Sequence, residues 1–413
     1  MTDRSTKNKL KLYHQGQLYN WSDLLQRIEL ISPCISPVTI TPQDRFNTLI
    51  YLLYGFINKV LIAPINTTLK TNITIQSLSQ NDALAIATSG TQSEPKIILL
   101  SRDNIRSHCY YFNQIVPLDR SSLWLNCMPL NHIAGVMIVY RCWFQDASMI
   151  LHDEFNAQQV WSDLQRYAVT HISLVPRMLQ RLLECSQNTR PPESLKSVIV
   201  GGDKLADALL EKAIFSGWPI ILSYGMTEAC STIALGKSTE QLIPLDGFKL
   251  QIDKKNTLQI AGAMIAKKFV SHNNEVNSEH LVDGWFSTHD QVHWDGQCLS
   301  FIARNDDMII SGGENISPQY LEDLLLKSPF IDDIAIGKIN DEKWGDTIVA
   351  LVCGDLNAFK AWIKLTIQSM YRPRYFLAVN EIPRNALGKI DRLRIKKMIA
   401  DSFNNDSIEM VCY

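Results

Sequence analysis

The stretch LKSVIVGGDKLADALLEKAIFSGWPIILSYG, Leu195 to Gly225, carries the pattern that decides the fold. The run LKSVIVGG at its start is rich in β-branched residues and predicts a buried strand. The segment 203–217 has the apolar spacing of a helix, and the run WPIILSYG from Trp218 predicts a second strand. A strand, a helix and a strand in this order form a βαβ unit with parallel strands.

The same alternation continues on both sides of this stretch. VTHISLVP, from Val169, predicts a strand before the helical segment RMLQRLLECS, and MTEACSTIA, from Met226, is interpreted as a further helix. The predicted fold class is therefore α/β, with mostly parallel sheets flanked by helices. Ligands of such sheets bind at the carboxyl ends of the strands, which places the candidate site at Gly201, Gly202, Tyr224, Gly225, Met226, Thr227 and Glu228.

The length of 413 residues exceeds what one hydrophobic core normally serves, so we expect more than one domain. Short strands and turns from about 247 to 302 predict a small β-rich subdomain within a large N-terminal domain, residues 1–305. The strands and helices of residues 306–413 predict a small α+β C-terminal domain. Its first helix is expected to have Ser317 as N-cap and Pro318 as first residue.

Composition and charge exclude several classes of protein. A net charge of −2 gives no general attraction to nucleic acid or acidic membranes. The longest apolar run, Leu49 to Ile57, is too short to span a bilayer, and the N-terminus lacks the apolar core of a signal peptide. Nine cysteines without a Cys-x-x-Cys pair are typical of a reduced cytoplasmic protein without a structural metal.

The polar stretch TSGTQSEPK, Thr88 to Lys96, lies between two predicted strands. Its hydroxyls, glycine and lysine are groups that can surround a triphosphate. No segment of the chain has the Walker spacing, however, and serine- and threonine-rich loops are more often simple turns. Taken alone, this stretch leaves a phosphate site and a polar turn both open.

Four segments in order resemble the adenylate-forming (AMP-binding) acyl-CoA synthetase family: TSGTQSEPK, SYGMTEACS, DGWFSTHDQ with IARNDDMIISGGENISP, and PRNALGKIDR. Members of that family activate a carboxylate with ATP and pass it to CoA. The resemblance implies an AMP-forming acid–thiol ligase with ATP and CoA as co-substrates and Mg²⁺ as cofactor. It also implies a C-terminal domain that moves relative to the rest of the chain.

The resemblance also implies where the nucleotide binds. The stretch Thr88–Lys96 corresponds to the family's phosphate loop, with Gln92, Ser93 and Ile97 in place of a threonine and two glycines. Loss of two glycines restricts the φ angles open to this loop. The ATP- and AMP-binding residues implied by the resemblance are Thr88, Ser89, Gly90, Thr91, Lys96, Gly201, Gly202, Tyr224, Gly225, Met226, Asp290 and Arg304.

Two of these motifs surround the adenosine. In SYGMTE, Tyr224 offers a face for adenine, Thr227 a hydroxyl for phosphate and Glu228 a carboxylate for the metal. In WFSTHDQ, Asp290 accepts hydrogen bonds from both ribose hydroxyls, although His289 replaces the family's usual glycine. From the residues alone, the alternative is that Tyr224 is a core residue and that Glu228 is an acidic residue in the first turn of a helix.

The C-terminal segments supply the remaining parts by the same resemblance. Lys389 matches the catalytic lysine, whose ammonium stabilises the charge that builds during attack on the α-phosphorus. With Thr227 and Glu228 it makes up the predicted catalytic set. Asp306 matches the hinge of the C-terminal domain, and Gly312 and Gly313 match the turn beside the pantetheine tunnel.

Within the family, the chain looks most like the ligases of 2-succinylbenzoate, an aromatic dicarboxylate of menaquinone biosynthesis. The unreacted carboxylate needs a cation or hydrogen-bond donors when it is buried. Arg181, with Ser173 at a strand end, is the candidate, and exposure of Arg181 on a helix surface is the alternative. His132 is expected to face the reacting carboxylate and Gly135 to make room for the ring.

Three other functions stay open at this point. The chain could ligate another aryl or fatty acid to CoA, act as a stand-alone adenylation enzyme, or be a non-catalytic nucleotide-binding relic. We expect small-molecule substrates, no nucleic acid and no membrane span. A homo-oligomer is compatible with the sequence.

Overall fold

The computed structural model describes residues 9–34, 37–65, 79–88, 96–254, 256–270, 276–277, 281–311, 314–341, 345–385, 388–404 and 409–410. Within these ranges the α-helices are α1 Trp21–Glu29, α2 Arg45–Asn58, α3 Arg102–Ile115, α4 Ile133–Phe144, α5 Ala157–Arg166, α6 Pro176–Cys185, α7 Asp207–Phe215, α8 Pro318–Leu325, α9 Leu356–Thr366 and α10 Arg392–Asn404. Short 3₁₀ helices span Thr227–Ala229, Asn305–Asp307 and Ser369–Tyr371.

The strands of the first half are β1 Lys11–His14, β2 Gln17–Asn20, β3 Val38–Ile40, β4 Ile62–Pro64, β5 Asp82–Thr88, β6 Lys96–Ser101, β7 Leu123–Asn126, β8 Ser148–Leu151, β9 His171–Leu174, β10 Ser197–Gly201 and β11 Ile220–Met226. Those that follow are β12 Ser231–Gly236, β13 Leu242–Pro244, β14 Phe248–Ile252, β15 Thr257–Gly262, β16 Lys268–Val270, β17 Val276–Asn277, β18 Leu281–Val282, β19 Trp285–Trp294 and β20 Leu299–Arg304. The C-terminal strands are β21 Ile309–Ser311, β22 Glu314–Ile316, β23 Ile331–Asp341, β24 Gly345–Gly354, β25 Tyr375–Ala378 and β26 Glu409–Met410.

The largest sheet has fourteen strands, in the order β14-β15-β19-β20-β13-β12-β11-β10-β9-β7-β8-β1-β2, with β18 beside β19. Its parallel part runs through six neighbouring strands, from β11 to β1. Helix α7 connects β10 to β11, as the βαβ pattern predicted. Strand β10 is buried apart from Gly201, whereas Ile220 and Leu222 are the buried residues of β11. The predicted α/β class is confirmed, and the antiparallel strands β12–β15 and β18–β20 extend the sheet on one side.

One predicted helix is wrong. The segment Met226–Ala234 forms a 3₁₀ turn and then strand β12, which pairs antiparallel with β11. Cys230 and Ser231 have φ angles of 56° and 96°, which a right-handed helix cannot contain. The β-branched Thr232 and Ile233 that follow are buried in the sheet. Backbone turn geometry therefore overrides the helical spacing of this segment.

A second sheet of six strands has the order β17-β16-β6-β5-β4-β3. In it, β5 and β6 pair antiparallel, with Thr88 opposite Lys96. The two strands predicted on either side of the polar stretch are therefore present. The stretch between them, residues 89–95, lies outside the described residues.

The C-terminal region has a third sheet, β22-β21-β24-β25-β26 with β23 beside β24, and hydrophobic clusters of its own. Its first helix begins as predicted, because the Ser317 side chain accepts a hydrogen bond from the Tyr320 N–H and Pro318 is the first helical residue. The large cluster of residues 10–299 is separate from these. A domain boundary between 305 and 306 stays a prediction.

None of the described helices is both long and apolar enough to cross a membrane. The cysteines within the described ranges are free thiols, and Cys109, Cys127, Cys142 and Cys230 are buried.

Candidate active site

A cavity of about 420 Å³ lies at the carboxyl ends of β10 and β11. Side chains from both regions of the chain line it, which makes it a site between the large sheet and the C-terminal region. The residues that the site chemistry uses are Gly202, Ser223, Tyr224, Gly225, Asp290, Arg304 and, from the C-terminal region, Glu322, Lys389 and Arg392. The predicted nucleotide residues of three separate motifs therefore meet in one place.

Tyr224, Asp290 and Arg304 form a connected group on one wall of the cavity. The Tyr224 hydroxyl donates a hydrogen bond of 2.6 Å to Asp290 Oδ2. Arg304 Nε lies 3.3 Å from Asp290 Oδ1, without hydrogen-bond alignment. Because Asp290 and Arg304 are register partners on β19 and β20, the sheet itself sets this pair. Asp290 Oδ1 is thus left able to accept a further hydrogen bond.

Burial determines the charge state of this group. Asp290 is only 4% exposed, and burial raises the pKa of its carboxyl, against the opposite effects of the Arg304 charge and the Tyr224 hydrogen bond. Burial also raises the pKa of the Tyr224 phenol well above its ordinary value, and the Asp290 charge adds to this. Tyr224 is therefore a neutral donor at neutral pH.

The turn before Asp290 explains why a glycine is usual at position 289. His289 adopts a φ of 60°, in the left-handed region that favours glycine. The Asp290 N–H donates to Thr288 Oγ1 at 3.1 Å, and Thr288 Oγ1 donates to the Leu258 carbonyl at 2.9 Å. These two hydrogen bonds fix the turn that aims Asp290 into the cavity, so histidine keeps the geometry at some conformational cost.

Gly225 is required by the hairpin that carries the tyrosine. A Cβ at this position would lie 1.6 Å from the Ser231 carbonyl oxygen of β12. No side chain fits so close to a backbone atom. The β-bulge at Tyr224 and Gly225, where the register with β12 shifts, therefore depends on this glycine.

Lys389 reaches the cavity from the C-terminal region. A Cβ at Gly202 would lie 3.7 Å from Lys389 Cε, so the lysine stem passes directly over this glycine. Burial lowers the pKa of the Lys389 ammonium, Asp203 and Asp290 raise it, and Arg304 lowers it. The charges of Asp203 and Asp290 thus favour the protonated form of Lys389, against the effect of burial.

Two ion pairs brace the segment that carries Lys389. Arg384 donates to both carboxylate oxygens of Asp333 at 2.9 Å and to the Gly388 carbonyl at 3.0 Å. Sequence reasoning missed this contact, because Arg384 and Asp333 lie far apart in the chain. Arg384 is positioned to fix the backbone beside Lys389.

A second brace joins α8 to α10. The Glu322 carboxylate accepts two hydrogen bonds from Arg392, at 2.5 and 2.8 Å, and one from the Ile336 N–H at 2.7 Å. Glu322 is 5% exposed. Its pairing with Arg392 offsets the desolvation that raises the pKa of its carboxyl. The arrangement holds the C-terminal wall of the cavity together.

The loop after β10 contacts helix α8 through polar side chains. Lys204 Nζ lies 2.6 Å from Asp323 Oδ2, and Gln319 Nε2 donates to Asp203 Oδ1 at 3.2 Å. Asp203 stands where the family usually has a small residue. This departure provides a contact between the loop after β10 and the C-terminal region.

Thr227 and Glu228 lie in the 3₁₀ turn that follows β11. The Ala266 N–H donates to the Glu228 carbonyl at 2.7 Å, and the Glu228 charge is near enough to raise the pKa of Asp290. Among the described residues, no cluster of three metal-ligating side chains is present. Neither Thr227 nor Glu228 lines the described cavity. Mg²⁺ is usually bound by one or two carboxylates together with substrate phosphates, so the single carboxylate of Glu228 is a group of the kind that this ion takes.

Two of the predicted acyl-site residues, His132 and Gly135, lie at the N-terminus of α4. His132 is its N-cap, and burial, with the charges of Lys389 and Arg45, lowers the pKa of the imidazole to about 4. The His132 imidazole is therefore neutral at neutral pH. Ser173 is buried in β9 opposite Ile199 of β10.

Gly135 lies where α4 packs closely against the backbone before it. A Cβ at this position would lie 2.3 Å from the Pro129 carbonyl oxygen and 2.7 Å from that of Met128. The close approach of α4 to the preceding backbone is thus sufficient to require a small residue here. The prediction that Gly135 makes room for the ring stays a prediction.

The two arginines of α6 differ in environment. Arg177 lines the cavity, whereas Arg181 does not and instead places its guanidinium 5.5 Å from the Phe155 ring centroid. The Arg181 side chain is exposed. The structure therefore does not bring Arg181 into the described cavity, and its contact with the distal carboxylate stays a prediction.

Several predicted residues lie at or beyond the limits of the described chain. Thr88 Oγ1 donates to the Lys96 carbonyl at 3.1 Å, and Lys96 Nζ lies 5.9 Å from the Phe269 ring centroid. Asp306 belongs to a 3₁₀ turn directly after β20. Ser89, Gly90, Thr91, Gly312 and Gly313 are outside the described residues.

Residues 41–265, more than half of the chain, match the AMP-binding enzyme family. The chain belongs to this family. The resemblance inferred from four short segments is thereby confirmed, and Tyr224, Gly225, Thr227 and Glu228 lie inside the matched range.

Two curated relatives show how this AMP-binding enzyme compares in sequence. It is 30% identical to the 2-succinylbenzoate–CoA ligase of Bacillus licheniformis over 78% of this chain and 71% of that protein. It is also 30% identical to the 2-succinylbenzoate–CoA ligase of Enterococcus faecalis over 76% of this chain and 69% of that protein.

Solved structures share the fold of this AMP-binding enzyme. The o-succinylbenzoate CoA synthetase of Bacillus subtilis, in complex with its acyl-adenylate intermediate, matches with a TM-score of 0.83 at 23% identity over 95% of this chain and 96% of that chain. ATP-bound MatB from Rhodopseudomonas palustris matches with a TM-score of 0.84 at 16% identity, over 96% and 97% of the two chains. At these identities the similarity shows the fold alone.

Proposed function

We propose that this AMP-binding enzyme joins 2-succinylbenzoate to CoA through an acyl adenylate, with AMP and pyrophosphate as the other products. The observation that carries the proposal is the position of Lys389 over Gly202, in the cavity that Tyr224, Asp290 and Arg304 also line. An ammonium beside an adenosine-binding wall is what adenylation of a carboxylate requires. The names and 30% identity of the bacterial relatives support the choice of acid.

In the first half-reaction, a carboxylate oxygen of the acid attacks the α-phosphorus of ATP, and the bond to the β-phosphate oxygen breaks to release pyrophosphate. Tyr224 offers a ring face to adenine, and Asp290 accepts hydrogen bonds from the ribose hydroxyls. Lys389 stabilises the negative charge that develops on the α-phosphate oxygens. Its ammonium is buried, so its electrostatic effect is not weakened by water.

Residues 88–96 are proposed to hold the pyrophosphate portion, with Ser89, Gly90, Thr91 and Lys96 as its contacts. Glu228 and Thr227 are the residues that would hold Mg²⁺. When bound, this ion neutralises phosphate charge.

In the second half-reaction, the CoA thiolate attacks the acyl carbon, and AMP leaves with the electron pair of the acyl–phosphate bond. We propose that residues 306–413 rotate about Asp306 for this step, which removes Lys389 and brings Gly312 and Gly313 towards the pantetheine arm. His132 is proposed to face the reacting carboxylate. Its pKa is lowered to about 4, so the imidazole is neutral at neutral pH and adds no positive charge beside Lys389.

The biological role proposed is the CoA-activation step of menaquinone biosynthesis. Because ATP and CoA are metabolites of the cytoplasm, a cytoplasmic location is proposed. Its partners are then small molecules, with no requirement for nucleic acid.

The test is ATP-dependent pyrophosphate release by the whole chain, with and without CoA, on a panel of acids. The panel comprises 2-succinylbenzoate, benzoate, a medium-chain fatty acid and an amino acid, and the thioester is identified by mass. Turnover confined to 2-succinylbenzoate is expected. Turnover of another acid would keep the reaction and change the proposed substrate. ATP binding without turnover of any acid would favour a non-catalytic nucleotide-binding protein.

A further inference from the structure

Arg141, in the last turn of α4, is a buried cation without an acidic partner. It is 3% exposed, and no carboxylate in the described part of the chain forms an ion pair with it. Its guanidinium carbon lies 3.6 Å from the Phe112 ring centroid. Nη2 donates to Thr232 Oγ1 at 3.3 Å, whereas Nε has no hydrogen-bond partner within the described ranges.

Two other buried arginines of the same region show what a structural arginine looks like here. Arg102 is 4% exposed and donates to the carbonyl oxygens of Gly55, Phe56, Val60, Gln80 and Asp82. Arg45 is 7% exposed and donates to the carbonyls of Cys127 and His152. Arg141 instead donates one hydrogen bond, to the Thr232 hydroxyl. One such bond does not replace the hydrogen bonds to water that the guanidinium loses on burial. A buried charge of this kind is expected where it serves a ligand.

A chain of hydroxyls connects Arg141 to the cavity. Thr232 Oγ1, which accepts from Arg141, lies 3.2 Å from Ser223 Oγ. Ser223 lines the cavity beside Tyr224. Since Arg141 can only donate, the Thr232 hydroxyl proton is free to point to Ser223, and the Ser223 proton is then free to point into the cavity. Arg141 thus orients the two hydroxyls so that Ser223 donates a hydrogen bond into the cavity, where a carboxylate can accept it.

We propose that Arg141 is a specificity-determining residue that makes the enzyme select dicarboxylates. The second, unreacted carboxylate accepts a hydrogen bond from Ser223, and Arg141 acts on it through Thr232 as a positioning residue. This inference rests on the proposed function, because it deepens the choice of acid. It assigns to a buried arginine the charge that the sequence assigned to Arg181.

The test compares two acids that differ by one group: 2-succinylbenzoate and 4-oxo-4-phenylbutanoate, which lacks the ring carboxylate. Where the mono-acid is not turned over, the sulfamoyl-adenosine analogues of both acids are compared by inhibition. The quantity measured is the ratio of kcat/KM, or of inhibition constants, for the two acids. Arg141→Met is expected to reduce the preference for the diacid about 3- to 10-fold, as expected when one hydrogen bond to the carboxylate is no longer oriented.

Matched variants separate a role in specificity from a role in folding. Arg141→Lys keeps the cation and is expected to retain part of the preference. Ser223→Ala, at the cavity wall, is expected to reduce the preference in the same direction even if Arg141→Met does not fold. Arg102→Lys serves as the buried structural control, which is expected to change stability and to leave the preference unchanged.

Three results would overturn the inference. Folded Arg141→Met and Ser223→Ala enzymes that retain the full preference for the diacid would overturn it while leaving the proposed function intact. Equal losses for both acids in these variants would reduce Arg141 to a structural residue. A wild-type enzyme without any preference for the diacid would contradict the proposed substrate as well.

Discussion

Lys389 passes over Gly202, with the Lys389 Cε atom 3.7 Å from where a Cβ at position 202 would lie. The two residues belong to the two regions of the chain that carry different hydrophobic cores. Lys389 also lines the cavity that Tyr224 and Asp290 line. In the proposed mechanism, this is the arrangement that carries out adenylation.

Replacing Lys389 by Ala is expected to lower the rate of adenylate formation by at least about 100-fold, because one preorganised electrostatic group is lost. Conversion of a supplied acyl adenylate to the thioester is expected to change less than about threefold, because Lys389 has no role after the pyrophosphate has left. Single-turnover measurements of the two half-reactions check this. Loss of both half-reactions in a folded variant would remove Lys389 from the assigned role.

The ion pair of Lys204 and Asp323 is expected to bias the C-terminal region towards the adenylating pose. Both side chains are partly exposed, so the pair is worth at most about 1 kcal/mol, or about a fivefold change in population. Lys204→Ala should therefore slow adenylation relative to thioester formation by up to about fivefold, and Lys204→Asp, which adds repulsion from Asp323, should slow it further. Rapid-quench measurements of both steps give this ratio.

The matched control for that pair is the charge exchange Lys204→Asp with Asp323→Lys, which restores an attractive pair. The exchange is expected to return the ratio of half-reactions to the wild-type value. A double variant that is slower than either single variant would show that the pair itself does not set the pose. High salt should reduce the effect of the single variant, since exposed charges are screened.

Asp290→Asn is expected to raise the melting temperature at pH 7 and to weaken ATP binding. The folded protein raises the pKa of this carboxyl above its ordinary value of 3.8, so folding favours the protonated form. That contribution to stability is present below the ordinary pKa and is lost as the pH rises through the raised pKa. At pH 7 the buried charge is a net cost, which asparagine removes.

Melting curves of wild type and Asp290→Asn at pH 7 and near pH 4 check this sign, together with ATP titrations. The difference in melting temperature should shrink as the pH falls. A variant that melts below wild type at pH 7 would mean that Tyr224 and Arg304 more than offset the burial of the charge.

Gly135→Ala is expected to destabilise the protein by about 1–3 kcal/mol, because the added methyl group meets the Pro129 carbonyl. Any loss of kcat/KM should be the same for the diacid and for a smaller aliphatic acid. Urea unfolding and kinetics on the two acids provide the measurement. A loss confined to aromatic acids would instead support the predicted role of Gly135 in making room for the ring.

Local patterns in the sequence predicted the βαβ order, the N-cap at Ser317 and the two strands on either side of residues 89–95. Each of these depends on residues close together in the chain. The helix predicted from Met226 failed, because the left-handed backbone at Cys230 and Ser231 turns the chain back along β11. The spacing of apolar residues does not reveal a left-handed turn, and neither Cys230 nor Ser231 is a glycine that would have indicated one.

The motifs also predicted that Tyr224, Asp290, Arg304 and Lys389 would share one site. The contacts that support this site were not predicted. Arg384 with Asp333, Glu322 with Arg392, and Arg141 with Thr232 each join residues that are distant in the chain. A single charged residue in a sequence gives no indication of its partner, so these contacts required the folded structure.

The central claim, that the acid passes through an adenylate before it reaches CoA, is tested most directly by withholding CoA. Enzyme, MgATP and 2-succinylbenzoate should yield enzyme-bound 2-succinylbenzoyl-AMP and one equivalent of pyrophosphate, detected by mass spectrometry. Addition of CoA should then convert that adenylate to the thioester and release AMP. The account would be contradicted if ATP were cleaved only when CoA is present, with ADP and phosphate as products and no adenylate detected.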